Sequence, residues 1–211
     1  SARALRASVT MKPVYIAPIV EGHGEKEAVP ALLYRLASAA GVERPLRVNH
    51  PIRVKAGSFL HDAAYLARHA TLAAEKAAQA GGLVLVLLDC DDDCPASLGP
   101  DLLRRVQAVR SDVEWIVVLA HREYESWFLA AARSLRGKCG LPADLDTPLH
   151  HETIRDAKGW LGGRMPGGYD PLTHQLAFTK SFDIEEAEAN RSFLRFRERI
   201  RMAFASRMEP C

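Results

Sequence analysis

The sequence has few cysteines and no long hydrophobic run, and both absences narrow the kinds of protein it can be. Its 211 residues include only four cysteines, which is too few for a disulfide-stabilised scaffold of this length. Cys90-x3-Cys94 has no matching second pair, so a structural zinc site is not expected. No run approaches the roughly 18 apolar residues that span a bilayer, and residues 1–10 lack the apolar core of a signal peptide. We therefore expect a cytoplasmic protein that does not associate with membranes.

The sequence also lacks a strong excess of either charge and the glycine loops that bind phosphate. Its 28 Lys and Arg residues nearly balance 26 Asp and Glu residues, so any attraction to nucleic acid must come from local patches. The segment Glu21-Gly-His-Gly-Glu-Lys-Glu27 lies between a predicted strand and a predicted helix. A dinucleotide-binding loop requires its third glycine where Glu27 stands, and the Gly-Lys-Ser/Thr of a Walker loop is absent.

An apolar run that ends in carboxylates is the most informative stretch of the sequence. Leu83-Val-Leu-Val-Leu-Leu88 fits a strand buried on both faces, and Asp89, Asp91 and Asp93 follow it. Ligands of open α/β sheets bind at the carboxyl ends of the strands. In extended backbone, Asp89 and Asp91 point the same way.

Two such carboxylates about 4 Å apart repel each other by roughly 4 kcal/mol at an effective dielectric constant near 20. A divalent cation that prefers oxygen ligands, Mg²⁺ or Mn²⁺, relieves this repulsion. A solvated acidic turn is the alternative. A calcium loop is excluded, because Cys94 and Pro100 stand where the loop requires glycine and a bidentate glutamate.

A second pair of carboxylates follows the first predicted strand, over residues 14–20. Glu21 ends this strand, and Glu25 lies four residues later at the start of an apolar helix pattern over residues 28–40. Both side chains could point at one position above the sheet. Favourable interaction with the helix N-terminus is an alternative explanation for Glu25, but it does not explain Glu21.

The remaining patterns complete an α/β fold. Residues 47–54 form a predicted edge strand, residues 57–80 a long alanine-rich helix, residues 98–109 another helix and residues 114–120 a fourth strand. This order predicts a mainly parallel central sheet of about four strands with helices on both faces. Glu123 and Glu125 follow the fourth strand on the same sheet edge, either as further ligands or as ordinary helix-start carboxylates.

The character of the chain changes after residue 136, where prolines and glycines break it into short helices and loops. We predict an N-terminal tail or cloning remnant over residues 1–12, an α/β domain over 13–136 and a small helical extension over 137–211. The last helix, from Arg191 to about Met208, carries many arginines. They form either a solvated face or a surface that contacts a phosphate backbone.

These motifs together carry a family resemblance. The Val20-Glu21-Gly22 turn and the strand that ends in Asp89-x-Asp91-x-Asp93 resemble the Toprim domain of topoisomerases, primases and OLD-type nucleases. Glu21-x3-Glu25 is similar to the paired glutamates of the OLD nucleases. The segment 122–130 resembles a small Toprim-like family of unknown function, often encoded beside AAA-type ATPases. That family also shows a tail like Tyr169-Asp-Pro171, Gln175, Asp183 and Arg191-Ser-Phe193.

The resemblance implies a Toprim/Rossmann-like fold and a metal-dependent nuclease. Glu21, Asp89 and Asp91 would hold one Mg²⁺ or Mn²⁺, and Glu25 and Glu123 would help to hold a second. Asp93 and Glu125 are further candidate ligands, and Lys158 or Lys180 would be the catalytic lysine. The arginines expected to contact nucleic acid are Arg122, Arg164, Arg191, Arg195 and Arg199.

The expected function is therefore cleavage of DNA or RNA, together with a separate AAA-type ATPase, in mobile-element or phage defence. A homodimer is a further expectation. A non-catalytic subunit that binds a nucleotide or regulates an ATPase partner is one alternative. A small-molecule phosphotransferase or phosphatase that uses the same acidic pocket is another.

Overall fold

The four predicted strand segments form one parallel sheet, in which the segment over 47–54 is present as two short strands. The structure is a computed structural model that describes residues 13–42, 45–91 and 93–207, so the predicted tail over 1–12, Asp92 and Met208 lie outside the described residues. The strands are β1 (Val14–Val20), β2 (Leu46–Val48), β3 (Ile52–Arg53), β4 (Leu83–Asp89) and β5 (Glu114–Ala120). Their order is β2-β1-β4-β5, β3 also pairs with β1, and every pair is parallel. The predicted α/β fold is confirmed.

The predicted single strand over 47–54 is wrong in detail, because two short strands take its place and the described sheet has five strands. The interruption lies opposite Pro18 of β1. The carbonyls of Ile16 and Val20 accept hydrogen bonds from Asn49 and Val54, so Pro18, in the same alternation, faces this neighbour. Since proline has no N–H to donate to a ladder, β2 and β3 pair with β1 only on either side of it.

Nine α-helices surround the sheet in the described part of the chain. They are α1 (Glu25–Ala39), α2 (Ala56–His61), α3 (Ala63–Gln79), α4 (Pro95–Val109), α5 (Ser126–Ala130), α6 (Ala157–Gly162), α7 (Pro171–Ser181), α8 (Ile184–Ala187) and α9 (Arg191–Ser206). The long helix predicted over 57–80 is divided at Asp62, whose side chain accepts hydrogen bonds from the N–H groups of Ala64 and Tyr65. Asp62 is thus an N-cap that starts α3 as a new helix.

The helices cover both faces of the sheet, as predicted. Helices α2, α3 and α4 pack on one face, against side chains such as Ile19, Val86 and Val117. Helices α1, α5, α7 and α9 pack on the other face, where Phe193 and Phe196 of α9 also contact the Trp127 ring. Segments on both sides of residue 136 therefore share one apolar core. None of the described helices is long and apolar enough to cross a membrane.

Candidate metal and active site

The carboxyl ends of β1, β4 and β5 bring six of the seven predicted acidic ligands to one cleft. In the sheet, Val20 lies beside Leu87 and Asp89 beside Ala120, so the segments that follow the three strands start at neighbouring positions. The cleft has a volume of about 370 Å³. Its lining includes Glu21, Glu25, Asp89, Asp91, Glu123, Glu125, Lys158, Asp170, Leu172 and Gln175. The sheet edge is therefore where the sequence predicted a site.

Glu25 turns back toward the end of β1. Its Oε2 accepts hydrogen bonds from the backbone N–H groups of Glu21, at 3.0 Å, and Gly22, at 3.1 Å. Burial raises the pKa of Glu25 to about 7, and the negative charge of Glu125 contributes to the rise. Burial also raises the pKa of Glu21, with a further contribution from the charge of Asp91. The two glutamates are thus crowded by other carboxylates.

Asp89 is the last residue of β4, and its side chain is fixed from the β5 side. Its Oδ1 accepts a hydrogen bond of 2.8 Å from the N–H of Tyr124. Burial raises the pKa of Asp89 well above its ordinary value, and the charges of Glu25 and Glu125 raise it further. A buried carboxylate beside two others is stable as an anion only if a cation compensates it.

Asp91 and Arg122 hold the ends of β4 and β5 in an unusual backbone conformation. Both are left-handed, with φ angles of 48° and 64°, although neither is a glycine. The N–H of Asp91 donates a 3.2 Å hydrogen bond to the carbonyl of Arg122. Such strain persists where surrounding contacts over-determine the backbone, and it is frequent at functional sites.

Glu125 is completely buried beneath the cleft. Its Oε1 accepts hydrogen bonds from the Tyr169 hydroxyl, at 3.0 Å, and from the Gln175 side-chain amide, at 3.2 Å. Its Oε2 makes no hydrogen bond within the described ranges. Burial raises the pKa of Glu125. One oxygen of this carboxylate is therefore held in place, while the other lies 3.5 Å from Nζ of Lys158.

Lys158 is the cation at the centre of this cluster. Its Nζ lies 3.1 Å from Oε1 of Glu123, 3.5 Å from Oε2 of Glu125 and 3.8 Å from Oδ2 of Asp89. Burial lowers the pKa of Lys158, but the charges of Glu125, Asp89 and Glu123 outweigh it and raise the pKa overall. Lys180, the other predicted lysine, is exposed in the last turn of α7 and does not line the cleft.

No group of three or more His, Cys, Asp or Glu side chains is positioned to hold a metal ion over residues 13–42, 45–91 and 93–207. Several carboxylate oxygens of the cleft bond to backbone N–H groups or to Lys158. The chemistry of the donors nevertheless fits a hard divalent cation. All the donors are carboxylate oxygens. Burial raises the pKa values of four of these carboxylates, and the charges of neighbouring carboxylates raise them further; the four are Glu21, Glu25, Asp89 and Glu125.

Several predicted residues lie outside the cleft. Asp93 is exposed and does not line it. Arg164 is exposed and stacks on Trp160, with its guanidinium carbon 3.8 Å from the ring centre. Arg191 starts α9 beside Glu152, and Arg195 and Arg199 lie further along that helix, where they border a groove beside β5. These arginines of α9 therefore lie beside β5, the outer strand of the sheet, but not in the acidic cleft.

Sequence reasoning did not assign Tyr169 and Gln175 to the site, although both fix Glu125. A signal for them was available, since both belong to the C-terminal tail pattern, Tyr169-Asp-Pro171 and Gln175, that the sequence analysis singled out. Gly24 is a further residue that the prediction missed. A Cβ at Gly24 would lie 2.3 Å from Oε1 of Gln175 and 2.5 Å from the carbonyl oxygen of Pro171, so only glycine lets α7 approach this closely.

Comparison with known proteins gives one match. The family model described as "Domain of unknown function (DUF4276)" matches residues 20–201. No curated protein and no solved structure matches the chain. The matched range contains every carboxylate of the cleft as well as Lys158, Tyr169 and Gln175.

Proposed function

The chain belongs to DUF4276, a domain family of unknown function, and from its own site we propose that it is a Toprim-like, metal-dependent phosphodiesterase that cleaves DNA or RNA. One observation carries the proposal: carboxylates that follow three neighbouring parallel strands line a single cleft together with a half-buried lysine, Lys158. Glu21, Asp89 and Asp91, from two paired strands, are the residues that would hold Mg²⁺ or Mn²⁺.

Each residue of the cleft has a distinct part in this proposal. When bound, Mg²⁺ or Mn²⁺ supplies Lewis-acid stabilisation of charge on the phosphate and activates a water molecule. The Lys158 ammonium adds a second positive charge for the phosphate oxygens, which gain charge in the transition state. Glu123 orients Lys158, because its carboxylate bonds both the Nζ and the backbone N–H of that residue.

Glu125, Tyr169 and Gln175 form the support beneath these groups. The two hydrogen bonds to Oε1 fix the Glu125 carboxylate, and Oε2 then faces Lys158. Buried support of this kind holds reacting groups within the narrow range of geometry that catalysis needs. Residues of the C-terminal segment are therefore part of the proposed active site and not only of the core.

The polymer itself would contact the outer surface. Arg195 and Arg199 are exposed on one face of α9, four residues apart, and both border the groove beside β5. Arginines on such a surface supply affinity that does not depend on base sequence. We extend the proposal to a phosphate backbone that runs from the cleft along α9. A separate AAA-type ATPase partner and a role in mobile-element or phage defence remain further proposals.

The test is cleavage of labelled single- and double-stranded DNA and RNA in the presence of Mg²⁺ or Mn²⁺. We expect the parent protein to cleave at least one polymer and Asp89→Asn to be at least 100-fold slower, about 2.7 kcal/mol in activation free energy. Asparagine keeps an oxygen for the Tyr124 N–H, so the fold should persist. Asp101→Asn, at an exposed pair with Arg104, is the matched control.

A parent protein that cleaves no polymer, or an Asp89→Asn variant that is as fast as the parent, would contradict the proposal. Hydrolysis of mononucleotides but not of polymers would instead indicate a small-molecule phosphatase. The cleft volume of about 370 Å³ is within the range of small-ligand pockets, so mononucleotides belong in the same assay.

A further inference from the structure

We propose that the Lys158 ammonium occupies the position that a second metal ion takes in two-metal phosphodiesterases, so that this cleft binds one divalent ion. The inference rests on the proposed function and specifies the cation content of that same site. It differs from the expectation, drawn from the resemblance, that Glu25 and Glu123 help to hold a second ion.

The surroundings of Lys158 are those of a bound cation. Its Nζ lies within 4 Å of carboxylate oxygens from three residues, namely Glu123, Glu125 and Asp89. Asp89 is also a candidate ligand of the proposed metal, so the ion and the ammonium would share the Asp89 carboxylate. In two-metal sites the two ions lie about 3.5–4 Å apart. A shared carboxylate between two cations is what such a site would contain.

The burial of Oε2 of Glu125 is a further indication. This residue is fully buried, and within the described ranges Oε2 makes no hydrogen bond. A buried carboxylate oxygen without a hydrogen bond is costly unless a cation compensates it. Nζ of Lys158, at 3.5 Å, is positioned to do so. The oxygen that points to the second cation position is therefore already compensated by the lysine.

The lysine is also held firmly in this position. It is the second residue of α6, which Asp156 caps through the N–H of Gly159, at 2.6 Å. Oε2 of Glu123 accepts hydrogen bonds from the N–H groups of Ala157 and Lys158, at 2.8 and 3.2 Å. The Glu123 carboxylate thus bonds both the first backbone N–H groups of α6 and the ammonium of Lys158. A group fixed at both ends stays in the cleft when a metal ion enters.

The test measures how many Mn²⁺ ions bind, which does not depend on activity. Calorimetry and electron paramagnetic resonance would follow Mn²⁺ titrations of the parent, of Lys158→Met and of the control Lys180→Met, whose lysine is exposed and outside the cleft. We expect one ion per chain for the parent and for Lys180→Met. We expect two ions for Lys158→Met, because removal of the ammonium frees oxygens of Glu123, Glu125 and Asp89.

Glu125→Gln provides a second variant in case Lys158→Met does not fold. Because Oε2 of Glu125 faces Lys158, this substitution should leave one bound ion with an affinity within about 3-fold of the parent. Two ions in the parent would overturn the inference and leave the proposed function intact. One ion in folded Lys158→Met, or loss of the ion in folded Glu125→Gln, would also overturn it. A parent that binds no Mn²⁺ would overturn both proposals.

Discussion

The Tyr169 hydroxyl donates a 3.0 Å hydrogen bond to Oε1 of Glu125, so a residue of the C-terminal segment fixes a carboxylate that follows β5. The cleft therefore depends on both parts of the chain. It also depends on α7, because Gln175 donates the other hydrogen bond to the same oxygen. Removal of either donor should be measurable in the stability of the whole fold.

Tyr169→Phe should lower the free energy of unfolding by about 1–3 kcal/mol, since a buried carboxylate loses a hydrogen bond. Urea denaturation followed by circular dichroism measures the change. Tyr34→Phe is the control, because Tyr34 is 48% exposed and the same deletion of a hydroxyl should have little effect there. Equal free energies of unfolding for Tyr169→Phe and the parent would mean that the hydrogen bond to Glu125 does not stabilise the fold.

The raised pKa values of the cleft carboxyl groups predict how the stability of the fold depends on pH. Glu25 has a pKa near 4.5 when unfolded and about 7 when folded. Because the folded value is raised, its contribution is complete below pH 4.5 and is lost as the pH rises through about 7. The raised pKa values of Glu21, Asp89 and Glu125 act in the same direction.

Without divalent cations, we thus expect stability to fall between about pH 4.5 and 7, by up to about 3 kcal/mol from Glu25. Added Mn²⁺ should reduce this fall. Glu25→Gln should flatten the profile, whereas Glu27→Gln, at an exposed position of the same helix, should not. Denaturation at several pH values, with EDTA or with Mn²⁺, makes the measurement. A profile that rises over this range in EDTA would contradict the raised pKa values of these carboxyl groups.

Much of the sheet and of its acidic edge could be predicted from the sequence, because these features depend on short stretches of the chain. Leu83–Leu88 and Trp115–Leu119 are apolar runs of the length and composition of buried strands, and parallel connection places Asp89 and Glu123 on one edge. The position of Lys158 could not be predicted, because a contact between α6 and Glu123, 35 residues earlier, decides it. No local spacing distinguishes Lys158 from Lys180.

Two other features depend on contacts that a linear pattern does not contain. The alanine-rich segment after Ala56 has helix periodicity throughout, but the Asp62 side chain satisfies backbone N–H groups and starts a new helix. Pro18 lacks the N–H that a central strand donates to its neighbours. That the neighbouring strand is interrupted opposite Pro18 follows only from the register of the strands.

Gly24 gives a steric test of the contact between α1 and α7. Gly24→Ala should lower the free energy of unfolding by about 1–3 kcal/mol, because the new Cβ would meet the Pro171 carbonyl at 2.5 Å. The φ angle of Gly24 is −65°, so backbone strain does not contribute. In Gly57→Ala the new Cβ meets no described atom within 4 Å, and this control should be neutral or slightly stabilising. Equal effects of the two substitutions would contradict the close approach.

Substitutions at Asp91 should separate its backbone role from its proposed metal role. Asparagine tolerates the left-handed conformation at φ 48°, whereas alanine costs about 1 kcal/mol more there. We expect Asp91→Asn to keep the stability of the parent and Asp91→Ala to lose some of it. Both should bind Mn²⁺ at least 10-fold more weakly. Calorimetric titration beside urea denaturation would show this, and an unchanged Mn²⁺ affinity in both variants would remove Asp91 from the ligand set.

The arginines of α9 should contribute to the salt dependence of binding. Arg195→Gln should weaken binding of duplex DNA in EDTA and reduce the slope of log K against log salt by about 0.9. Fluorescence anisotropy at several salt concentrations measures that slope. Arg68→Gln, at an exposed position of α3 on the opposite face of the sheet, should leave it unchanged. The same slope for Arg195→Gln and the parent would exclude this face of α9 as the contact surface.

Anomalous diffraction from crystals soaked in Mn²⁺ tests the central claim most directly, because it locates the ion without any assumption about the substrate. The account predicts a single peak within about 2.5 Å of carboxylate oxygens of Glu21, Asp89 and Asp91. The absence of a peak in the cleft, or a peak held only by residues outside it, would contradict the claim that these carboxylates form a metal site.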